Sequence, residues 1–362
     1  MTPSQVPAWP QHLPYEIDIP ECNLCWHLVA SATRYPSRAA LIDERGVISY
    51  SELLHAVERM AGHFQHAFSL AAGERVLLYM PNSREWIIAY YAILYCSAIV
   101  VPVNPMYRNA ELQPVLKETE PVIAVCSDKG LAEVKLAVAG QTLRGIVGSG
   151  QVLSHAENGP APTPLVHEPD RLALILYSSG STGVPKGCMH THRTLNASTV
   201  IVAQWMWMAP ASIHLVALPF FHITGMQNLL NAPIFSGATL VLMERWSRER
   251  AGELIARHHV SHWTAMPTML IDFLESAQFR EFDLSSIRRV GGGGAGMPQA
   301  VGERIKEMTG MDFLEGYGLS ETAHVTGNPP HAFKRQCLGM PLFNTDVRVI
   351  DPESLDELPP GQ

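Results

Sequence analysis

Apolar positions along this chain recur with two alternating periods. Residues 39–42 and 47–50 flank Glu44-Arg45-Gly46, which predicts a β-hairpin. From 51 to 68 the spacing changes to three and four. Leu53, Leu54, Val57, Met60, Ala61 and Phe64 then share one side of a predicted helix. Short apolar runs at 75–80, 99–103 and 121–126 read as strands. Pro81-Asn82-Ser83 reads as a turn and helix cap leading into 85–95. A helix is predicted over 109–119, although Pro114 weakens its first half. Strand, helix and strand in this rhythm predict a parallel α/β sheet.

Residues 148–170 are rich in Gly, Pro, Ala and Ser, and read as a surface crossing. A second α/β set follows, with strands at 171–177, 213–218, 238–243 and 262–266. Its helices are predicted at 194–208, 226–235 and 248–258. A β-branched run at 345–350 predicts one more strand before Asp-Pro-Glu and Leu-Pro-Pro-Gly turns. The expected fold class is α/β. Two α/β subdomains with mostly parallel sheets, over 1–170 and 171–330, pack as layers, and 331–362 begins a small β-barrel subdomain.

Composition narrows the function classes. Lys and Arg total 26 against 34 Asp and Glu, a formal charge of −8, so nothing draws the chain generally to nucleic acid. Apolar residues make up 47% and charged residues 17%, which suits a globular rather than a disordered chain. No uninterrupted apolar run reaches the roughly 18 residues of a membrane span. The first residues lack the basic-then-apolar order of a secretory signal. Six scattered cysteines fit free thiols in a reducing compartment, so a cytoplasmic location is expected. Cys22-x-x-Cys25 has no second ligand pair and reads as a loop rather than a zinc site.

The chemistry concentrates in three stretches. The first is Leu176-Tyr-Ser-Ser-Gly-Ser-Thr-Gly-Val-Pro-Lys-Gly187. Gly180, Gly183 and Gly187 let backbone N–H groups turn toward an anion. Ser178, Ser179, Ser181 and Thr182 add hydroxyl donors, and Lys186 adds a full charge. A polyphosphate suits that combination. A Walker loop needs Gly before the Lys and Ser or Thr after it. Here Pro185 and Gly187 stand there, which disfavours a kinase or GTPase. The second stretch is Glu315-Gly-Tyr-Gly-Leu-Ser-Glu-Thr322. Gly316 and Gly318 free the Tyr317 ring to lie beside a base, and Glu321 next to Ser320 is a natural Mg²⁺ ligand. The third is Val290-Gly-Gly-Gly-Gly-Ala-Gly-Met-Pro298, a strand end built for close backbone approach. His190-Thr-His192, His258-His259 and His262 lack acids at ligand spacing and read as capping or solvated histidines.

These loops, in this order, resemble the adenylate-forming superfamily of acyl- and aryl-CoA synthetases, peptide-synthetase adenylation domains and luciferases. Its phosphate loop reads Tyr-Thr-Ser-Gly-Thr-Thr-Gly-x-Pro-Lys-Gly, and its later signature reads Gly-Tyr-Gly-x-Thr-Glu, met here by Gly316 to Glu321. Leu218-Pro-Phe-Phe-His-Ile-Thr-Gly225 resembles a further family motif. The resemblance runs from about Leu24 to the last residue.

The resemblance implies ATP and AMP, Mg²⁺ and coenzyme A as co-substrates and cofactor. Ser178, Ser179, Gly180, Ser181, Thr182, Gly183 and Lys186 would hold the phosphates. Gly293, Gly294, Ala295, Glu315, Gly316, Tyr317, Gly318 and Ser320 would frame the nucleotide. His222, Lys186, Ser320 and Glu321 would carry the catalysis, with Glu321 and Thr182 on the metal. His222, Met226, Trp263, Met266 and Gly292 would line the acid pocket. The implied reaction joins a carboxylic acid to AMP, releases pyrophosphate and then forms a thioester with CoA. The wording around 218–246 looks closest to medium- and long-chain fatty acid–CoA ligases; an aryl acid is the alternative. A homodimer is compatible with the family.

The family's Thr-Gly-Asp ribose segment and its late catalytic Lys on a small C-terminal domain are not found in these 362 residues. Weak nucleotide binding, feeble adenylation and no thioester formation are therefore expected of this chain alone. A nucleotide-binding module without full activity stays open as the second reading, and phosphoryl transfer is a distant third.

Overall fold

The computed structural model describes residues 9–10, 13–140, 143–178, 185–276, 278 and 280–359. The predicted hairpin forms as β1 (Ala39–Asp43) and β2 (Gly46–Ser49), with Gly46 at φ +117 where the chain reverses. The following helix, Tyr50–Phe68, starts on a capping box in which Ser49 and Glu52 satisfy each other's backbone N–H. The next strands are β3 (Arg75–Tyr79), β4 (Ile99–Pro102), β5 (Ile123–Cys126), β6 (Gly145–Gly148), β7 (Leu172–Ser178) and β8 (Lys186–Thr191). After them come β9 (Ile213–Val216), β10 (Thr239–Leu242), β11 (His262–Thr264), β12 (Arg289–Gly292), β13 (Phe313–Tyr317), β14 (Thr326–Gly327) and β15 (Met340–Pro341).

The strands sort into two mostly parallel sheets. One has the order β6-β5-β3-β4-β7-β8, parallel except for β8, which runs antiparallel to β7. The other has the order β15-β14-β13-β12-β11-β9-β10-β1-β2, parallel from β13 to β1. The sheets do not follow the chain division expected near residue 170. The early hairpin joins the second sheet through β1 against β10, and β7 and β8 close the first. Each exchange lets an apolar strand edge find a parallel partner.

The helix Arg84–Tyr95 is buried from Glu85 to Tyr95, as a helix must be when it lies between two layers. Trp86 stacks on Tyr90 at 4.9 Å and meets Phe220 at 5.0 Å. One apolar core runs through it, joining Val76 and Val100 of the first sheet to Val216 and Leu240 of the second.

Three segments differ from the sequence reading. The stretch read as a crossing contains a helix, Ser149–Asn158, whose Val152 and Ala156 are buried. The stretch 226–235 is not one helix: it runs as Ile223–Met226, a π-helical turn Gln227–Asn231, and Ala232–Ser236. The run 345–350 forms no strand; Ile350 makes a single bridge to Glu357, and Val349 and Ile350 stay exposed. A β-branched pattern without a neighbouring edge has no ladder to join. No closed barrel forms among the described residues. No described helix is long and apolar enough to cross a membrane.

Candidate functional site

A cavity of about 1290 Å³ opens where the two sheets bring their strand ends together. Its wall is made of the residues just past each strand: Met80 to Ser83 after β3, Ser127 to Gly130 after β5, and Ala217 to Pro219 after β9. Met243, Met266, Gly294, and Gly318 to Ser320 continue it after β10, β11, β12 and β13. All of these are carboxyl ends of parallel strands, the place where open α/β sheets leave room for ligands. The lining mixes aliphatic groups with convergent polar ones, as small-molecule sites do.

The two glycine-rich stretches of the second sheet meet backbone to backbone. A Cβ on Gly293 would lie 2.5 Å from the Gly316 carbonyl oxygen. One on Gly318 would lie 1.8 Å from that of Ala323, so the turn after β13 closes only on glycine. That turn is drawn shut by Leu319 N–H donating to Ala323 O (3.1 Å) and Ala323 N–H donating to Leu319 O (2.8 Å). Tyr317 leads into it, with its ring 42% exposed. Glu315 points elsewhere: its carboxylate accepts the Met297 N–H at 2.8 Å and ties the glycine stretch to β13. Gly292 packs under Ala265 and, like Ala295, does not line the cavity.

Ser179, Gly180, Ser181, Thr182 and Gly183 lie outside the described residues; Ser178 and Lys186 are the described ends of that loop. Their neighbour on β8 shows where the loop attaches. The Cys188 thiol faces Glu321 across this junction. Burial, and then the negative charge of Glu321, push it up. Two residues on, His190 Nε2 lies 2.7 Å from Ser320 O. A carbonyl can only accept, so this nitrogen carries the proton. The strand that follows the serine- and glycine-rich loop is thereby bonded to the turn bearing Ser320 and Glu321. Lys186 and Glu321 are both exposed there.

His222 caps the short helix Ile223–Met226, lines the cavity and rests against Phe221 at 4.6 Å. The surrounding protein lowers its pKa by burial, which favours a neutral ring. Its turn is held by a residue that sequence reading assigned only to a helix cap. Asn82 Nδ2 donates to Leu218 O (2.8 Å), and its Oδ1 accepts the Phe220 N–H (2.8 Å). No local pattern signals that pairing, since it joins positions far apart in the chain. Of the other expected pocket residues, Met266 lines the cavity. Met226 and Trp263 are fully buried in the two main cores, Trp263 against Phe273 at 5.1 Å. Thr224, Leu254 and Met269 stand in the wall instead.

The donor set can be tested against the groups the family resemblance implies. Among the described residues no cluster of three His, Cys, Asp or Glu could hold a metal ion by itself. Glu321 offers one exposed carboxylate, the donor type Mg²⁺ takes when substrate phosphates complete its shell. Open backbone at the glycine turns, with no Cβ in the way, and the exposed Tyr317 ring fit a nucleotide. Both groups are therefore compatible with the residues present.

Comparison with known proteins gives a consistent picture. The model of a family described as AMP-binding enzyme matches residues 28–362. A long-chain-fatty-acid–CoA ligase of Bacillus subtilis is 27% identical over 391 residues, covering 96% of this chain and 69% of that protein. The 4-coumarate–CoA ligase-like 9 protein of Arabidopsis thaliana is 30% identical, covering 87% of this chain and 58% of its own length. ATP-bound MatB from Rhodopseudomonas palustris superposes with a TM-score of 0.86 at 25% identity, covering 94% of this chain and 68% of MatB. The chain thus spans about three fifths to two thirds of the length of the relatives it matches.

Proposed function

This chain belongs to the AMP-binding enzyme family, and on that premise we propose that it is the large, nucleotide-holding part of an ATP-dependent acyl–CoA ligase that takes an alkyl carboxylic acid. One observation carries the reading. One cavity is bounded by His222, by Gly294 and Gly318 of the two glycine turns and by Ser320, with Leu218, Ile223, Leu254, Met266 and Met269 forming an aliphatic stretch of its mixed wall.

In this reading a carboxylate oxygen of the acid attacks the α-phosphorus of ATP, and the pyrophosphate oxygen leaves. In the full-length protein the CoA sulfur then attacks the acyl carbon, and AMP leaves. Attack on a phosphorus ringed by negative oxygens needs positive charge and donors already in place. Bound Mg²⁺ would offset part of that charge. Lys186 and the loop it ends would hold the β- and γ-phosphates, Ser320 the α-phosphate, and Glu321 the metal. Tyr317 would lie against the adenine. His222, at the cavity edge and with its pKa lowered, would border the acid carboxylate. Gly294 and Met266 would separate nucleotide from acyl chain. Subunit pairing as a homodimer and a cytoplasmic setting belong to the same proposal.

Two features favour an alkyl over an aryl acid. Leu218, Ile223, Leu254 and Met269 give a flexible aliphatic stretch of wall, and Trp263 is withdrawn into the core, which leaves Tyr79, Phe221 and Trp246 as the rings of the lining. The test is calorimetric titration with dodecanoyl- and benzoyl-sulfamoyl adenosine, stable mimics of the two acyl-adenylates. The alkyl reading expects the dodecanoyl compound to bind at least tenfold more tightly. Equal affinity, or preference for benzoyl, overturns it.

A further inference from the structure

The turn that carries Ser320 and Glu321 is gripped from both sides by histidines that the proposed reaction does not use. On one side, His190 of β8 donates its Nε2–H to the Ser320 carbonyl at 2.7 Å. It is buried, with 3% exposed, although it stands on the strand that leaves the phosphate loop. On the other side, His324 comes directly after the turn. Its Nδ1 lies 2.9 Å from Ser198 Oγ, and its Nε2 lies 2.8 Å from Asn228 Nδ2. The Asn228 Nδ2 can only donate, so His324 Nε2 accepts and Nδ1–H donates to Ser198.

Asn228 sits in the π-helical turn Gln227–Asn231. Its amide also donates to Thr224 O at 3.1 Å, and Thr224 lines the cavity. Local π-helical turns are costly and cluster at functional sites. Here the irregularity coincides with the helix whose amide reaches across to His324. A chain of hydrogen bonds therefore runs from the cavity wall through Asn228 and His324 to Ser198. A second bond, through His190, fixes the middle of the turn. The turn is short and exposed at Glu321 and Thr322; its backbone bonds are local, within 317–325, and only Ala323 is buried in the core.

We propose that His190 and His324 are positioning residues that clamp the turn after β13, holding Ser320 and Glu321 toward the phosphates of the nucleotide. The proposal rests on the nucleotide site proposed for this chain for what the turn does, but not for whether the clamp exists. Its cost when broken is specific. A turn free to move misplaces the phosphate and metal contacts of Ser320 and Glu321, whereas the adenine contact is that of Tyr317, which stays held in β13 by its pairing with Thr326 of β14.

The experiment joins two measurements on the whole chain. Amide hydrogen exchange over 317–325 is compared in the parent, His190→Leu, His190→Gln and His324→Leu. The clamp predicts at least tenfold faster exchange in both Leu variants, confined to this segment. His190→Gln keeps a donor near the Nε2 position and restores slow exchange. In parallel, calorimetry compares ATP·Mg²⁺ with adenosine. The Leu variants lose at least tenfold in affinity for ATP·Mg²⁺ and less than twofold for adenosine, and His190→Gln recovers most of the loss. Unchanged exchange in His190→Leu overturns the clamp. Faster exchange with unchanged ATP·Mg²⁺ affinity, or equal loss for both ligands, overturns its role in placing the phosphate contacts. If the parent binds no ATP·Mg²⁺, the nucleotide reading fails for this chain, and the clamp is judged by exchange alone.

Discussion

Lowering the pH from 7 to 5 is expected to destabilise this protein steeply, before most of its carboxylates titrate. Burial holds His27, His192 and His262 at about 4 instead of the usual 6.5. All three are buried, at 4%, 1% and 7% exposure. His27 donates to Asn196 Oδ1 at 2.9 Å, and His192 Nδ1 accepts the Leu24 N–H at 3.1 Å. His192 Nε2 has no hydrogen-bond partner among the described residues. A lowered pKa means that the unfolded chain binds more protons than the folded one between about 4 and 6.5. Stability from these groups is therefore complete above pH 6.5 and is lost as the pH falls toward 4. Each such drop corresponds to about 3 kcal/mol as an upper figure. At pH 5.5 the unfolded state takes up roughly 0.9 proton more per histidine, so three give a slope of about 3–4 kcal/mol per pH unit. Urea midpoints followed by tryptophan fluorescence between pH 7.5 and 5 measure it, with m-values converting midpoint to free energy. His27→Gln keeps a donor for Asn196 but does not titrate, and the slope falls by about 1 kcal/mol per pH unit. A slope under about 1 kcal/mol per pH unit in the parent, or no change in His27→Gln, refutes the reasoning.

Two further outcomes concern single positions. Gly318→Ala places a methyl on the Ala323 carbonyl, where no side chain can yield. The turn must open, at about 1–3 kcal/mol, with a fall of tenfold or more in ATP·Mg²⁺ affinity by calorimetry. His214 is fully buried with neither ring nitrogen bonded among the described residues, so His214→Leu is expected to raise the urea-derived stability by about 1 kcal/mol.

Much of the layered architecture was legible because local signals coincide with burial. Ser83 before Arg84 announces its helix by capping, and that cap forms; the Ser49–Glu52 box, which starts the preceding helix at Tyr50, went unread beside the periodicity from 51. The apolar run of 85–95 could be read as buried from its lack of a polar face. What stayed hidden depends on long-range pairing. The β1–β2 hairpin was readable, but not its choice of β10 as neighbour, since any apolar parallel edge suits it. Asn82 reads as a cap and acts as a brace for the His222 turn. The π-helical turn at 227–231 leaves no trace in a helical periodicity. Trp263 and Met226 were placed beside the acid by the family resemblance applied to two apolar segments, and within such a segment nothing local separates a pocket residue from a core one. His190 looked like a capping residue because its partner, Ser320 O, is a backbone atom that no motif displays.

The central claim is that nucleotide binds between the phosphate loop ending at Lys186 and the turn beginning at Tyr317. Calorimetric titration of ATP·Mg²⁺ into the parent chain, Lys186→Ala and Tyr317→Ala tests it most directly. Losing charge-assisted bonds to phosphate costs about 1.5–3 kcal/mol, so Lys186→Ala is expected to bind about 10- to 100-fold more weakly. Tyr317→Ala loses one stacking contact and falls by about tenfold. Binding to the parent that neither substitution weakens would contradict the account.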